Sequence, residues 1–167
     1  MPPYTCAVLT VSDKGSRGER QDTSGPALQE VLTAHHFTVA ATAIVPDRID
    51  AIQETLLAWI DQQAIDLVVT TGGTGVAPTD VTPEATRPLL RCEIPGMAEA
   101  MRRNSMELTP HAMLSRALTG IRHQSLIINL PGSRKAALEN LAVVLPALSH
   151  AIAKIKGDPA DCGSPGA

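Results

Sequence analysis

The stretch DLVVTTGGTG at residues 66–75, continued at 80–84 by DVTPE, decides the fold. Leu67 to Thr70 favour a strand, and the apolar character of that run marks it as buried. The chain then enters Gly72, Gly73 and Gly75, which accept positive φ and let a ligand approach main-chain N–H groups closely. Phosphate suits such a loop. Thr82 is placed to cap a helix, Pro83 suits its first position and Glu84 its first turn, so donors at that helix start lie near the glycines. The spacing is neither GxxxxGK[ST] nor GxGxxG, so neither the Walker A nor the dinucleotide motif applies. Taken alone, a glycine loop after a strand serves equally well as a tight turn.

Outward from this stretch, strands alternate with helices. Cys6 to Val11 reads as a strand, a polar loop runs from Ser12 to Gly25, and Pro26 opens a helix with Leu28, Val31 and Leu32 on one face. Phe37 to Val45 is a second strand; Ile49, Ile52, Leu56, Trp59 and Ile60 recur at helical spacing; Ile65 to Thr71 is a third strand. This rhythm predicts an α/β fold of three layers, a mostly parallel sheet with helices on both faces. Residues 83–124 form a helical excursion with pieces at Pro83–Leu90 and Gly96–Glu107. Ser125 to Leu130 restores a buried strand, Pro131 and Gly132 turn, and Ser133 caps a helix through Leu138 and Leu141. A separate last helix carries Leu145, Leu148, Ile152 and Ile155. Residues 1–156 are expected to form one domain and 157–167 a flexible tail.

Composition narrows the function. The 167 residues suffice for one domain that buries roughly 70% of its unfolded surface. Only Tyr4, Phe37 and Trp59 are aromatic, which disfavours base-stacking platforms, and a net charge of −3 provides no footprint for nucleic acid or an anionic membrane. Cys6, Cys92 and Cys162 are odd in number and form no CxxC pair, as expected of a reducing cytoplasm. There is no basic leader before the first apolar run, and no uninterrupted run approaches about 18 apolar residues.

In an open α/β sheet, ligands collect beyond the carboxyl ends of the strands. Those ends deliver Ser12 and Asp13, then Pro46 and Asp47, then the glycine loop with Asp80, then Asn129 to Ser133. Two carboxylates beside a phosphate loop suit Mg²⁺ shared with phosphate oxygens. Spacing alone supports an alternative equally, with Asp47 capping the helix that follows it and Asp80 belonging to the start of the next. The five histidines show no zinc-ligand spacing. Arg102 with Arg103 and Arg134 with Lys135 read as solvated helix faces, the second pair lying nearer the turn at 131–133.

The ordered set LTVSD (9–13), DTSGP (22–26), VPD (45–47), TTGGTG with DVTPEAT (70–86), PGMAEAMR (95–102), LSRALTGIR (114–122) and LIINLPGS (126–133) resembles the MogA/MoaB family of molybdenum cofactor biosynthesis. The likeness extends to the equivalent domains of gephyrin and plant Cnx, and covers about Thr5 to Lys156. It implies a molybdopterin adenylyltransferase that transfers AMP from Mg²⁺-ATP to the terminal phosphate of molybdopterin and releases pyrophosphate. On this resemblance Asp47 and Asp80 are the catalytic pair and hold Mg²⁺. Ser12, Gly72, Gly73, Thr74 and Gly75 receive nucleotide and phosphate; Ser115, Asn129, Pro131, Gly132 and Ser133 line the molybdopterin pocket. It further implies a homotrimer and handover of product to a separate molybdenum-inserting protein. The other reading is a molybdopterin-binding carrier or scaffold without catalysis. The related domain of nicotinamide-nucleotide amidase proteins fits LSRALTGIR and LIINLPGS less well. Two departures stand out: Thr79 precedes the second aspartate, and Thr23 lies within DTSG, where the family often carries arginine.

Overall fold

The computed structural model describes residues 4–159. The elements are β1 (Thr5–Val11), α1 (Asp13–Ser16), α2 (Ser24–Ala34), β2 (Thr38–Val45), α3 (Ile49–Leu57), β3 (Leu67–Thr71), α4 (Thr82–Thr86), β4 (Cys92–Glu93), α5 (Pro95–Met106), β5 (Thr119–Arg122), β6 (Ser125–Leu130) and α6 (Arg134–Ile155). One sheet runs β2-β1-β3-β6-β5-β4. The four strands β2, β1, β3 and β6 are parallel, and β5 and β4 complete the sheet antiparallel.

Two cores cover the two faces, as alternation along buried strands requires. Cys6, Val8, Leu67, Val69, Leu126 and Ile128 point toward α2, α5 and α6. Ala7, Leu9, Val68 and Ile127 point the other way, onto Ile52, Leu56, Trp59 and Ile60. The expected three-layer α/β architecture is therefore present, with an antiparallel edge that the sequence did not announce.

Four local details differ from the expectation. The loop expected from Ser12 contains the single turn α1, because the Ser12 hydroxyl accepts from Gly15 N. Helix α2 starts at Ser24 rather than Pro26, since Asp22 takes up the N–H groups of Ser24 and Gly25. Helix α3 passes into a single π-helical turn, Ala58–Gln62, before β3. The two expected C-terminal helices are one, α6, with Pro146 inside it. Pro146 removes a bond to the carbonyl four residues back, and both it and Ala142 are exposed, so water can serve that carbonyl.

Helix α6 reaches a mean hydropathy of 1.5 over 18 residues, a length and composition that could cross a bilayer. Here Ala137, Leu141, Val144, Leu148 and Ile152 are buried in the core. At the amino ends of the strands, Asp66 accepts from Thr5 N and Thr5 Oγ1 and pairs with Lys156 just past α6. The Lys156 ammonium also lies 6.0 Å from the Tyr4 ring centroid. The expected tail falls, from residue 160 onward, outside the described residues.

Candidate active site

Strands β1, β3 and β6 lie side by side and release the chain at one end of the sheet, where the path switches from one side of β1 to the other. The loops there are stitched together. Gly72 N donates to Leu130 O at 3.1 Å, Thr71 Oγ1 to Pro131 O at 2.7 Å, and Ser24 Oγ to Gly132 O at 3.0 Å. Gly72 has φ +105°, and a Cβ there would lie 2.2 Å from Val11 O. No other residue fits at that position, because the loop crosses the end of β1 backbone against backbone.

Thr82, expected as a cap, is not one: Val81 holds that position, and the Thr82 hydroxyl turns back to donate to Gly72 O at 2.8 Å. Thr82 N donates to Gly73 O at 3.0 Å. Asn129, expected against molybdopterin, is fully buried and lines neither cavity described below. Its Nδ2 donates to Thr70 Oγ1 and Thr86 Oγ1, and Thr86 Oγ1 donates to Thr82 O. Asn129 therefore braces the loop from behind, a role dictated by the inward alternation of β6.

Two cavities flank the loop. The first, about 360 Å³, is walled mainly by hydroxyls, glycines and carboxylates, among them Ser12, Asp22, Ser24, Asp47 and Gly72. The second, about 420 Å³, mixes Leu108, Ala112 and Leu114 with Asp80, Ser115 and Asn140. They meet at Gly73, Gly132 and Ser133, which line both. The structure thus brings Ser12, Gly72 and Asp47 to one cavity, and Thr74, Gly75, Asp80, Ser115 and Pro131 to the other. Arg134 and Lys135 line neither.

Neither aspartate caps the helix that follows it. Asp47 and Asp13 are paired reciprocally: Asp13 N donates to Asp47 Oδ2 at 2.7 Å, and Asp47 N to Asp13 Oδ1 at 3.0 Å. Asp80 closes a turn, accepting from Ala77 N at 2.8 Å on Oδ2. Burial pushes the Asp47 carboxyl above the usual range, and the charges of Asp13 and Asp80 add to this against the one hydrogen bond from Asp13. A carboxylate so placed gains by meeting a cation.

The donor set fits Mg²⁺. Asp47 and Asp80 offer carboxylate oxygens, one from each cavity, and among the described residues no group of three or more His, Cys, Asp or Glu converges that would suit a metal held by protein alone. A Cβ added at Gly73 would come within 3.3 Å of Asp47 Oδ1, and one at Gly75 within 2.8 Å of Asp80 Oδ2, so the glycines leave room beside both. Mg²⁺ characteristically takes one or two carboxylates and completes its shell with water and substrate phosphate.

The sequence reading missed Asp22 and Arg116. Asp22 lies two and three residues before the N–H groups it accepts, a legible Asx-type signal, and also accepts from Thr10 Oγ1 at 2.6 Å. Arg116 donates to Gly75 O and Asp80 O, both at 2.6 Å, and pairs with Glu84. Carbonyl acceptors 41 and 36 positions away leave no pattern in a sequence.

Residues 7–150 match the family model described as a probable molybdopterin binding domain. The chain is 44% identical over 153 residues to the molybdopterin adenylyltransferase of Helicobacter pylori, covering 90% of this chain and 87% of that protein. It is 45% identical over 166 residues to gephyrin of Dictyostelium discoideum, covering 93% of this chain but 23% of gephyrin, so it spans about a quarter of that relative's length. Among solved structures, the molybdopterin biosynthesis enzyme MoaB of Thermus thermophilus superposes with a TM-score of 0.88 at 52% identity, covering 93% of this chain and 98% of that one. In sequence as in fold, the chain belongs to the molybdopterin-binding domain family of molybdenum cofactor biosynthesis.

Proposed function

We propose that this site transfers AMP from ATP to the terminal phosphate of molybdopterin, releasing pyrophosphate. One observation carries the reading: two cavities of different character meet at Gly73, Gly132 and Ser133, with one aspartate on each side. The hydroxyl-lined cavity with Asp47 takes the nucleotide, and the partly apolar cavity with Asp80 and Ser115 takes the pterin. Their phosphates then face one another across the shared residues. Thr74 and Gly75, on the pterin side, hold the acceptor phosphate rather than the nucleotide.

An oxygen of the molybdopterin phosphate attacks the α-phosphorus of ATP. The new P–O bond forms as the bond to the β-phosphate bridging oxygen breaks, and pyrophosphate departs with that electron pair. No protein nucleophile is needed; the chain positions two anionic reactants and offsets their repulsion. The main-chain N–H groups of Gly73, Thr74 and Gly75, rather than that of Gly72, which is spent on Leu130 O, would serve the phosphates. Asp47 and Asp80 would hold Mg²⁺, which when bound neutralises charge on the phosphates and leaving group.

Incubating the protein with molybdopterin, ATP and Mg²⁺ is expected to yield adenylylated molybdopterin and pyrophosphate, and Asp47→Asn or Asp80→Asn to abolish the product while pterin still binds. Pterin binding by the wild type without any adenylylated product would identify a carrier instead. We further propose assembly as a homotrimer and delivery of product to a separate molybdenum-inserting protein. The resemblance to the family supports both, and a monomeric mass by light scattering would overturn the first.

A further inference from the structure

The two aspartates are not held alike. Asp47 follows β2 directly and is clamped by its exchange of hydrogen bonds with Asp13. Asp80 ends a loop, 75–80, whose four intervening residues Val76, Ala77, Pro78 and Thr79 are all exposed. Inside this loop Asp80 N donates to Ala77 O, and Ala77 N to Asp80 Oδ2. Those bonds give the loop its shape and leave its placement open. Among the described residues, the hydrogen bonds that tie 75–80 to the rest of the protein come from one side chain: Arg116 Nε to Gly75 O and Arg116 Nη2 to Asp80 O.

We infer that Arg116 is the positioning residue for Asp80, fixing its carboxylate where a metal ion shared with Asp47 can be held. The inference rests on the proposed adenylyl transfer only for its consequence for rate; the effect on metal binding stands apart from it. A guanidinium is planar with five N–H donors, so it can span the two loop ends and still pair with Glu84 through Nη1. An ammonium could reach one carbonyl at a time. Arg116 N also donates to Thr74 O at 2.8 Å, so main chain and side chain together grip the 75–80 loop at both its ends.

The arrangement links the two cavities. Arg116 follows Ser115, and the segment bearing them, which includes Ala112 and Leu114, walls the second cavity. A pterin pressing on that wall bears on the residue that aims Asp80. Thr79 supplies no cation of its own, and among the described residues Arg116 is the one positive group hydrogen-bonded to the loop.

The test is Mn²⁺ binding in the presence of α,β-methylene-ATP, followed by water-proton relaxation, on the full chain. Arg116→Gln is expected to raise the half-saturating Mn²⁺ concentration about 10-fold, the scale set by residues that orient metal ligands. Arg116→Lys should fall between Gln and wild type, and Glu84→Gln should weaken Mn²⁺ less than Arg116→Gln. Arg17→Gln, which loses only an exposed pair with Glu19, should match wild type. In the transfer assay the Mg²⁺ requirement of Arg116→Gln should rise in parallel, with rate recovering toward wild type at saturating Mg²⁺.

Wild-type Mn²⁺ affinity in Arg116→Gln overturns the inference. If that variant does not fold, wild-type affinity in both Arg116→Lys and Glu84→Gln overturns it equally. Wild-type protein that takes up no Mn²⁺ beyond the nucleotide's own share also overturns it, since there is then nothing for Arg116 to aim. Failure of the wild type to make adenylylated molybdopterin would sink the proposed reaction and leave the Mn²⁺ comparison standing.

Discussion

A single glycine shows how tightly the 72–75 loop is specified. At Gly72 an added methyl would meet the Val11 carbonyl oxygen at 2.2 Å, and φ of +105° is itself unfavourable for any side chain. Gly72→Ala is therefore expected to cost about 3 kcal/mol or more, read as a lowered denaturant midpoint; an unchanged midpoint would refute the close approach. Asp47→Asn should behave oppositely. The Asp47 carboxyl is raised by burial and by the charges of Asp13 and Asp80, so between its ordinary and raised values the folded state holds a proton that the unfolded chain has released. Stability then falls as pH rises through that window, and above it the penalty persists. Without metal at pH 7, Asp47→Asn should melt no lower than wild type, and a clear fall in its midpoint would contradict this sign. Residue type and position after a strand made both aspartates legible in sequence. Whether either caps its helix was not, because that turns on which N–H each carboxylate meets: Asp13 N for one and Ala77 N for the other.

Among the elements, α6 diverges most from expectation. Its sequence reads as two helices, one through Leu138 and Leu141 and one carrying Leu145 to Ile155, yet the chain runs on as a single helix with Pro146 inside it. The packing of Leu141, Val144, Leu148 and Ile152 on a single face holds both halves in line. Pro146→Ala restores the missing N–H opposite the Ala142 carbonyl on an exposed surface, and should raise stability by about 1–3 kcal/mol, measured by chemical denaturation. A loss of stability would mean that α6 needs the proline. The strands of the parallel core were plain from their apolar runs, whereas β4 has two residues and β5 four, too short for a period to register. Their pairing depends on Gly120, where a Cβ would meet Cys92 O at 2.6 Å. That requirement is visible only once the strands are side by side.

For the molecule as a whole, the ion pair of Asp66 with Lys156 ties stability to pH on the acid side. Burial alone would raise the Asp66 carboxyl, but Lys156 and the N–H and hydroxyl of Thr5 outweigh it and hold the group below its ordinary value. The folded state thus keeps this carboxylate ionised to lower pH than the unfolded chain does. Its contribution is complete above about pH 4 and is lost as pH falls through the folded value. Asp66→Asn should lower stability at pH 7 by about 1–2 kcal/mol, discounted for the exposure of Lys156. The deficit should shrink on acidification; a constant deficit from pH 7 to pH 3 would show that packing is responsible. The same contact has an architectural consequence. Thr5 at the start of β1 and Lys156 after α6 bind opposite oxygens of one carboxylate, at the pole of the sheet away from the cavities. The first strand and the last helix therefore meet at a single point, like the two ends of a bead on a stalk, and a fusion joined there would start from the side opposite both cavities.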